Sequence, residues 1–358
     1  MAYTTVNKST DYFNTLLYTG TGSGGSNRQL TGVGFQPDWT WIKNRSSGQE
    51  HVLVDAVRGA TKSLDSSSTS VESTTSTQVG AFISDGFQLG SGSVQNRVNG
   101  SGNELVAWNW KAGTTGSGST GGSGTAKTYN YSVNATAGFS IVKYIGNGSS
   151  GQTIPHHLGA VPHFILLKPL DAADHWRVYH NKIHPTAPEE YFLRLQTTDT
   201  RGDSNDIWSD TAHTSSVFTV GNNSGVNAND QEFIAYVFTQ KTGYSKTGIY
   251  SGNSNADGPF VYTGFKPSVI IIKDKDNAEN WFIFDNKRPG YNLNANHLNP
   301  NSTTTETTSG ANSLDIVSNG FKMRATNNGI NRNGGEGFLY FAIGQSLVGS
   351  NNVPCTAR

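Results

Sequence analysis

Gly34-Phe35-Gln36-Pro37-Asp38-Trp39-Thr40-Trp41-Ile42-Lys43 is one of three stretches built to a single plan. The others are Gly159-Ala160-Val161-Pro162-His163-Phe164-Ile165-Leu166-Leu167-Lys168 and Gly264-Phe265-Lys266-Pro267-Ser268-Val269-Ile270-Ile271-Ile272-Lys273. In each, a Gly-x-x-Pro step runs into an apolar stretch, with a lysine six residues beyond the proline. Proline cannot donate to a β-ladder, so it marks the start of a strand. The glycine allows the turn before it to take a positive φ.

The register extends outward from this stretch. Upstream stand Leu17-Tyr18-Thr19-Gly20-Thr21-Gly22, Tyr144-Ile145-Gly146-Asn147-Gly148 and Ile249-Tyr250-Ser251-Gly252-Asn253. Downstream, Asp55, His180 and Asp285 each lie 18 residues beyond their proline. They end apolar runs that read His51-Val52-Leu53-Val54, Trp176-Arg177-Val178-Tyr179 and Trp281-Phe282-Ile283-Phe284. A Ser-x-x-Phe element follows at Ser84, Ser215 and Ser318. Last, Val98-Asn99, Val226-Asn227 and Ile330-Asn331 precede Glu104, Glu232 and Glu336, each glutamate six residues after the β-branched one and opening a closing strand. Recurrence of so many spacings identifies an internal repeat of roughly 100 residues.

Short apolar or alternating runs between Gly, Asn and Pro turns predict an all-β protein of three repeated β-sandwich or jelly-roll-like domains. The boundaries expected are 1–112 for the first with an N-terminal arm, 127–240 for the second and 241–345 for the third, with a polar tail over 346–358. Residues 113–126 are dominated by Gly, Ser and Thr, a composition that predicts a flexible tether. Copies two and three should then form one rigid body with copy one placed separately, residues 1–12 serving as an anchoring arm. No convincing helix of twelve residues occurs, and single helical turns are expected around 171–174 and 276–279.

Composition narrows the function. Charged residues are 15%, below the usual ~25%, while aromatics reach 11%. Such a chain has the apolar material to fold, and its surface must be Ser, Thr, Asn and Gly. Lys plus Arg and Asp plus Glu are 26 each, which supplies no overall attraction to nucleic acid or anionic membrane. The lone Cys355 excludes an internal disulfide and any multi-cysteine metal site. The first residues lack the basic and apolar regions of a signal peptide. Synthesis in a host cytoplasm is expected.

No nucleophile elbow, phosphate loop or His-Glu-x-x-His motif occurs, so the chain reads as a non-enzyme without cofactor or metal. His156, His157 and His163 occur in one copy and read as turn residues. Asp171, Asp174, Asp274, Asp276 and Glu279 lack the calcium-loop pattern and read as solvated turns. Two features are candidates for ligand contact. Asp55 with Arg58 and Asp285 with Arg288 recur in register, either as ligand-facing pairs or as salt bridges at a strand end; copy two has His180 and Ile183 there. Trp208, within Asp206-Ile207-Trp208-Ser209-Asp210, is the tryptophan expected to be exposed.

The stretch 34–45, with Asp55-Ala56-Val57-Arg58-Gly59-Ala60 and Ser84-Asp85-Gly86-Phe87, resembles a repeat domain frequent in structural proteins of marine tailed bacteriophages. Pro155-His156-His157-Leu158-Gly159, Asp171-Ala172-Ala173-Asp174-His175-Trp176 and Tyr262-Thr263-Gly264-Phe265-Lys266-Pro267 are similar to it too. The resemblance covers roughly 12–112 and 138–345. It implies a virion component, such as a capsid decoration, head fibre or tail fibre, partnered by other virion proteins. It transfers no catalytic residues. A second reading of another class is an adhesin that binds host surface glycans.

Overall fold

The computed structural model describes residues 4–22, 27–90, 96–334 and 337–346. The chain is all-β, in antiparallel sheets, and the helices among the described residues are single turns. None is long and apolar enough to cross a membrane.

The three stretches that share the spacing pattern, here units 1, 2 and 3, contain the same order of four strands. In unit 1 the opening strand Phe13–Thr19 pairs with the closing strand Glu104–Trp110. That strand pairs in turn with the lysine strand Trp39–Asn44, which pairs with the following strand Val52–Asp55. Unit 2 has Phe139–Ile145, Glu232–Phe238, Phe164–Pro169 and Arg177–His180 in that order. Unit 3 has Ser245–Tyr250, Phe338–Ser346, Phe265–Asp274 and Trp281–Asp285. Each unit adds a small sheet: Gln29–Thr31, Gly86–Leu89 and Val79–Ile83 in unit 1, and Phe260–Tyr262, Gly320–Met323 and Leu314–Val317 in unit 3. In unit 2 the small sheet is Gly121–Gly122, Gln152–Pro155 and Val217–Val220.

Side chains alternate across a strand, so each lysine strand has two apolar faces to bury. One face packs on the unit's own small sheet. Ile42 shares a buried cluster with Leu30 and Phe87, Ile165 and Leu167 share one with Ile154 and Phe218, and Ile270 and Ile272 share one with Val261 and Phe321. The other face carries Trp39 and Trp41, Phe164 and Leu166, and Val269 and Ile271. These belong to one continuous cluster, with Trp108, Trp110, Tyr236, Phe238 and Phe341. The Trp39 and Tyr236 rings stack at 4.3 Å across units 1 and 2, and the Phe164 and Phe341 rings at 4.9 Å across units 2 and 3.

The expected separate placement of residues 1–112 is therefore corrected. Their large sheet buries its inner face, Trp39, Trp41, Trp108 and Trp110 among it, in the core shared with the other two units. The arm is not free either: Val6 is buried in the same cluster, and the Ser9 amide and hydroxyl both donate to Gln345 Oε1 of unit 3.

The Gly/Ser-rich stretch 113–126 is not a tether. Thr114–Ser119 pairs along its whole length with Thr128–Asn134, and Gly121–Gly122 pairs with Gln152–Pro155. The physical reason lies across the strand. Gly116 faces Tyr131 and Gly118 faces Tyr129. A Cβ would stand 2.6 Å from the Tyr131 hydroxyl at Gly116 and 2.8 Å from that of Tyr129 at Gly118. The glycines make room for rings laid over the strand, as aromatic residues cover glycine in sheets.

The helical turns lie elsewhere than expected. Neither 171–174 nor 276–279 is helical; both contain bends, the second organised by Asp274, whose carboxylate accepts from the Asp276 and Asn277 amides. One-turn helices instead occupy Asn96–Asn99, Ser224–Asn227 and Asn328–Asn331, the β-branched–Asn elements, with another at Asn205–Trp208. Of the expected features, Glu336 and Cys355 lie outside the described residues, as does the tail 346–358 except Ser346, which ends the closing strand.

Candidate functional site

The five residues expected to face a ligand are all buried. Trp208 is fully covered, because its helical turn presses Ile207 and Trp208 inward, against Tyr179 and His213. The polar neighbours that suggested exposure are turn residues. Asp206 accepts from the Asn223 side chain, and Ser209 and Asp210 take positive φ as the helix ends. Asp55 and Arg58 form an ion pair at 2.5 Å, and Asp285 and Arg288 one at 2.6 Å, with side chains wholly inaccessible. They are the strand-end salt bridges of the structural alternative, and they face neighbouring units.

Those neighbours form a closed ring. At the junction of units 1 and 2, Tyr236 Oη donates to Asp55 at 2.8 Å and Trp176 Nε1 donates to Asp65 O at 2.9 Å. Lys168 Nζ reaches Thr69 O at 3.3 Å, and the Glu72 amide donates to Leu170 O at 3.0 Å. At the junction of units 2 and 3, Trp281 Nε1 donates to Arg194 O, Lys273 Nζ to Thr198 O and the Arg201 amide to Lys275 O. At the junction of units 3 and 1, His51 Nε2 contacts Asn299 O, Lys43 Nζ donates to Thr303 O and the Glu306 amide donates to Arg45 O. Trp41 Nε1 donates to His51 Nδ1, so the proton of that imidazole sits on Nε2, facing Asn299 O. A loop of each unit thus grips the next through the first, fifth and eighth residues of an eight-residue segment: 65–72, 194–201 and 299–306. The heterologous contacts close after three steps, as in a cyclic trimer, here within one chain.

Unit 2 departs from the others for a reason visible in this ring. Asp55 meets Tyr236 and Asp285 meets Trp108, whose Nε1 donates at 3.1 Å. The corresponding residue ahead of His180 is Phe341, which has no donor. His180 instead contacts the backbone oxygen of Tyr340 through Nε2, at 3.0 Å. Arg58 and Arg288 pair with Glu72 and Glu306. The residue of unit 2 at that loop position is Arg201, which donates to Ile183 O, so an arginine at 183 would meet a like charge.

Burial sets the electrostatics. Lys43, Lys168 and Lys273 are each held down to about 8, because taking an ammonium out of water penalises its charge. Each is compensated by backbone carbonyls; Lys273 has those of Thr198, Asn277 and Glu279. Burial likewise lowers His156, His180 and His297 to about 4 and His213 to about 3. His156 and His163 serve turns, and His157 stacks on Tyr131 at 3.8 Å. Among the described residues no group of three His, Cys, Asp or Glu side chains converges to hold a metal.

Sequence reading missed the gripping loops. Their signal is a threonine at the fifth position, Thr69, Thr198 or Thr303, and Glu, Arg or Glu at the eighth. It is masked because the loop begins 10 residues after Asp55 but 14 after His180 and Asp285. The threonines contribute backbone oxygens, which any residue would supply. On the outside, a groove of about 560 Å³ at the junction of units 2 and 3 is lined by Lys182, His184, Arg201 and Lys275. Arg201 and Lys275 there share Asp276.

No curated protein and no solved structure matches the chain. Residues 8–346 match a protein family described as a domain of unknown function, DUF7483. The match spans all three units of the ring, and the chain belongs to the DUF7483 family.

Proposed function

We propose that the chain is a non-catalytic structural component of a virus particle, a capsid decoration or part of a head or tail fibre. The observation that carries this reading is the closed ring of three like-built junctions. A single chain that closes threefold on itself is a rigid part with approximate threefold symmetry. Such a part fits a threefold or quasi-threefold position on a capsid, or the end of a trimeric fibre, without subunit assembly. The resemblance of the 34–45 stretch and its partners to phage structural repeats supports the same reading. So does the use of the most strongly perturbed lysines and histidines as internal struts, which leaves them no access to a substrate. Mass spectrometry of purified virus particles whose genome encodes this chain tests the proposal. Recovery in amounts comparable to a capsid or tail protein is expected; absence from intact particles overturns it.

A further inference from the structure

Of the seven large apolar side chains that are exposed among the described residues, four gather around the small sheet of unit 3. Phe260 and Tyr262 are 48% and 51% exposed, and both project from the outer face of the edge strand Phe260–Tyr262. Two positions apart on a strand, they lie roughly 7 Å apart along the sheet. Tyr291 and Leu293, 70% and 45% exposed, flank Asn292, whose side chain pairs with the backbone of Ile316 at the sheet's other edge. Between these edges runs a polar strip. Lys322 pairs with Asp257 at 2.7 Å and Arg324 with Asp315 at 2.6 Å.

The fold does not require these rings. The register aligns Phe260 and Tyr262 with Gln29 and Thr31 in unit 1, and with Thr153 and Pro155 in unit 2. Lys322 and Asp315 align with Gln88 and Ala81 of unit 1. Units 1 and 3 thus dress one strand order in two ways, while in unit 2 the aligned strand lies centrally, between Gly121–Gly122 and Val217–Val220. Among the described residues only unit 3 combines exposed aromatics with ion-paired charges on this sheet. The rings are also held for contact. Gly320 has no side chain, and a Cβ there would stand 3.0 Å from Phe260 Cε2, so the Phe260 ring leans over the strand. Lys246 Nζ donates to Tyr262 O and sits 5.2 Å from that ring's centroid, bracing it from one side.

We propose that this face binds a neutral polysaccharide. A pyranose is itself two-sided, with C–H groups that stack on an aromatic ring and hydroxyls that seek donors and acceptors. The rings supply the first surface, and the ion-paired strip supplies both kinds of hydrogen-bonding partner at fixed positions. Two basic and two acidic groups cancel across the strip and Lys246 adds a single positive charge beside Tyr262, a balance that gives little attraction for an acidic polymer or an anionic bilayer. The open, flat face suits a chain passing over it rather than a small molecule. This site stands whether or not the protein is a virion part.

The test is affinity electrophoresis of the full chain through gels containing dextran, galactomannan, agarose or alginate, with sedimentation against phosphatidylcholine–phosphatidylglycerol vesicles. Retardation by at least one of the three neutral polymers is expected. The double variant F260Q/Y262T, which installs the unit 1 residues, should bind about tenfold more weakly or worse at unchanged Tm. Q29A/T31A in unit 1 should bind as the parent does. Retardation by alginate alone, sedimentation with vesicles alone, no retardation, or undiminished binding by F260Q/Y262T would each overturn the proposal.

Discussion

Asp285 and Trp108 are 177 residues apart and meet at 3.1 Å, while Asp285 also neutralises Arg288. Asp285→Ala leaves that guanidinium buried with only part of its partners. A loss of about 3–5 kcal/mol in chemical denaturation is expected. The reverse substitution is equally informative. Installing the pair in unit 2 as His180→Asp with Ile183→Arg should destabilise rather than strengthen it, because Phe341 offers no donor and Arg201 stands where Glu72 and Glu306 stand elsewhere. A Tm equal to or above the parent's would contradict the ring as drawn. The buried histidines give a pH window. They are depressed to about 3–4 in the fold and return to about 6.5 when unfolded. The unfolded chain therefore binds more protons between those values. Their stabilising contribution is complete above about pH 6.5 and is lost as pH falls toward 4. Thermal melts from pH 7 down to pH 4.5 should show Tm falling throughout.

At the scale of elements, the recurring Tyr-x-Gly and β-branched–Asn motifs prove to be two halves of one clasp. Tyr18, Tyr144 and Tyr250 each donate a hydroxyl to the carbonyl of Val98, Val226 or Ile330. The following Asn331 side chain accepts from the Asn253 amide and donates to Ala325 O and Asn255 O, and Asn227 does the same work in unit 2. Gly252 lies between, where a Cβ would stand 2.3 Å from Arg332 O. Asn331→Ala should cost about 1–3 kcal/mol, read by denaturant titration, for the buried partners it strands. The stretch 113–124 makes an opposite prediction to its composition. Backbone pairing on both strands should render it resistant to limited proteolysis, and Gly116→Val should expose it by driving Tyr131 off the strand. The spacing of these motifs was legible in the sequence because it recurs in all three units, although each clasp joins residues about 80 apart. The ordered glycine strand was not, since a glycine that makes room for a ring and a glycine that lends flexibility are the same letter.

For the whole molecule, the shared cluster and the three junctions make the units interdependent. A chain lacking residues 1–112 would expose Phe139, Tyr236 and the Trp176 edge that now face Trp39 and Asp65. It should fail to give a monodisperse folded species by size-exclusion chromatography and circular dichroism, and the intact protein should unfold in a single transition. Independent folding of 113–358 with parental stability would show the ring to be dispensable.

What the sequence determined by itself was the set of strands and their order of recurrence. Prolines, turn glycines and alternating apolar residues act locally and carry their instruction in their own chemistry. Even the aspartate–arginine pair could be placed at a strand end. Only the tertiary structure decided which face of each large sheet lies inward, that three inner faces become one core, and that loops 65–72, 194–201 and 299–306 lock them. The junctions are made largely by buried side chains reaching backbone oxygens of a distant segment. A carbonyl group is common to every residue, so nothing in the letters marks the acceptor; it is chosen when the chain has closed.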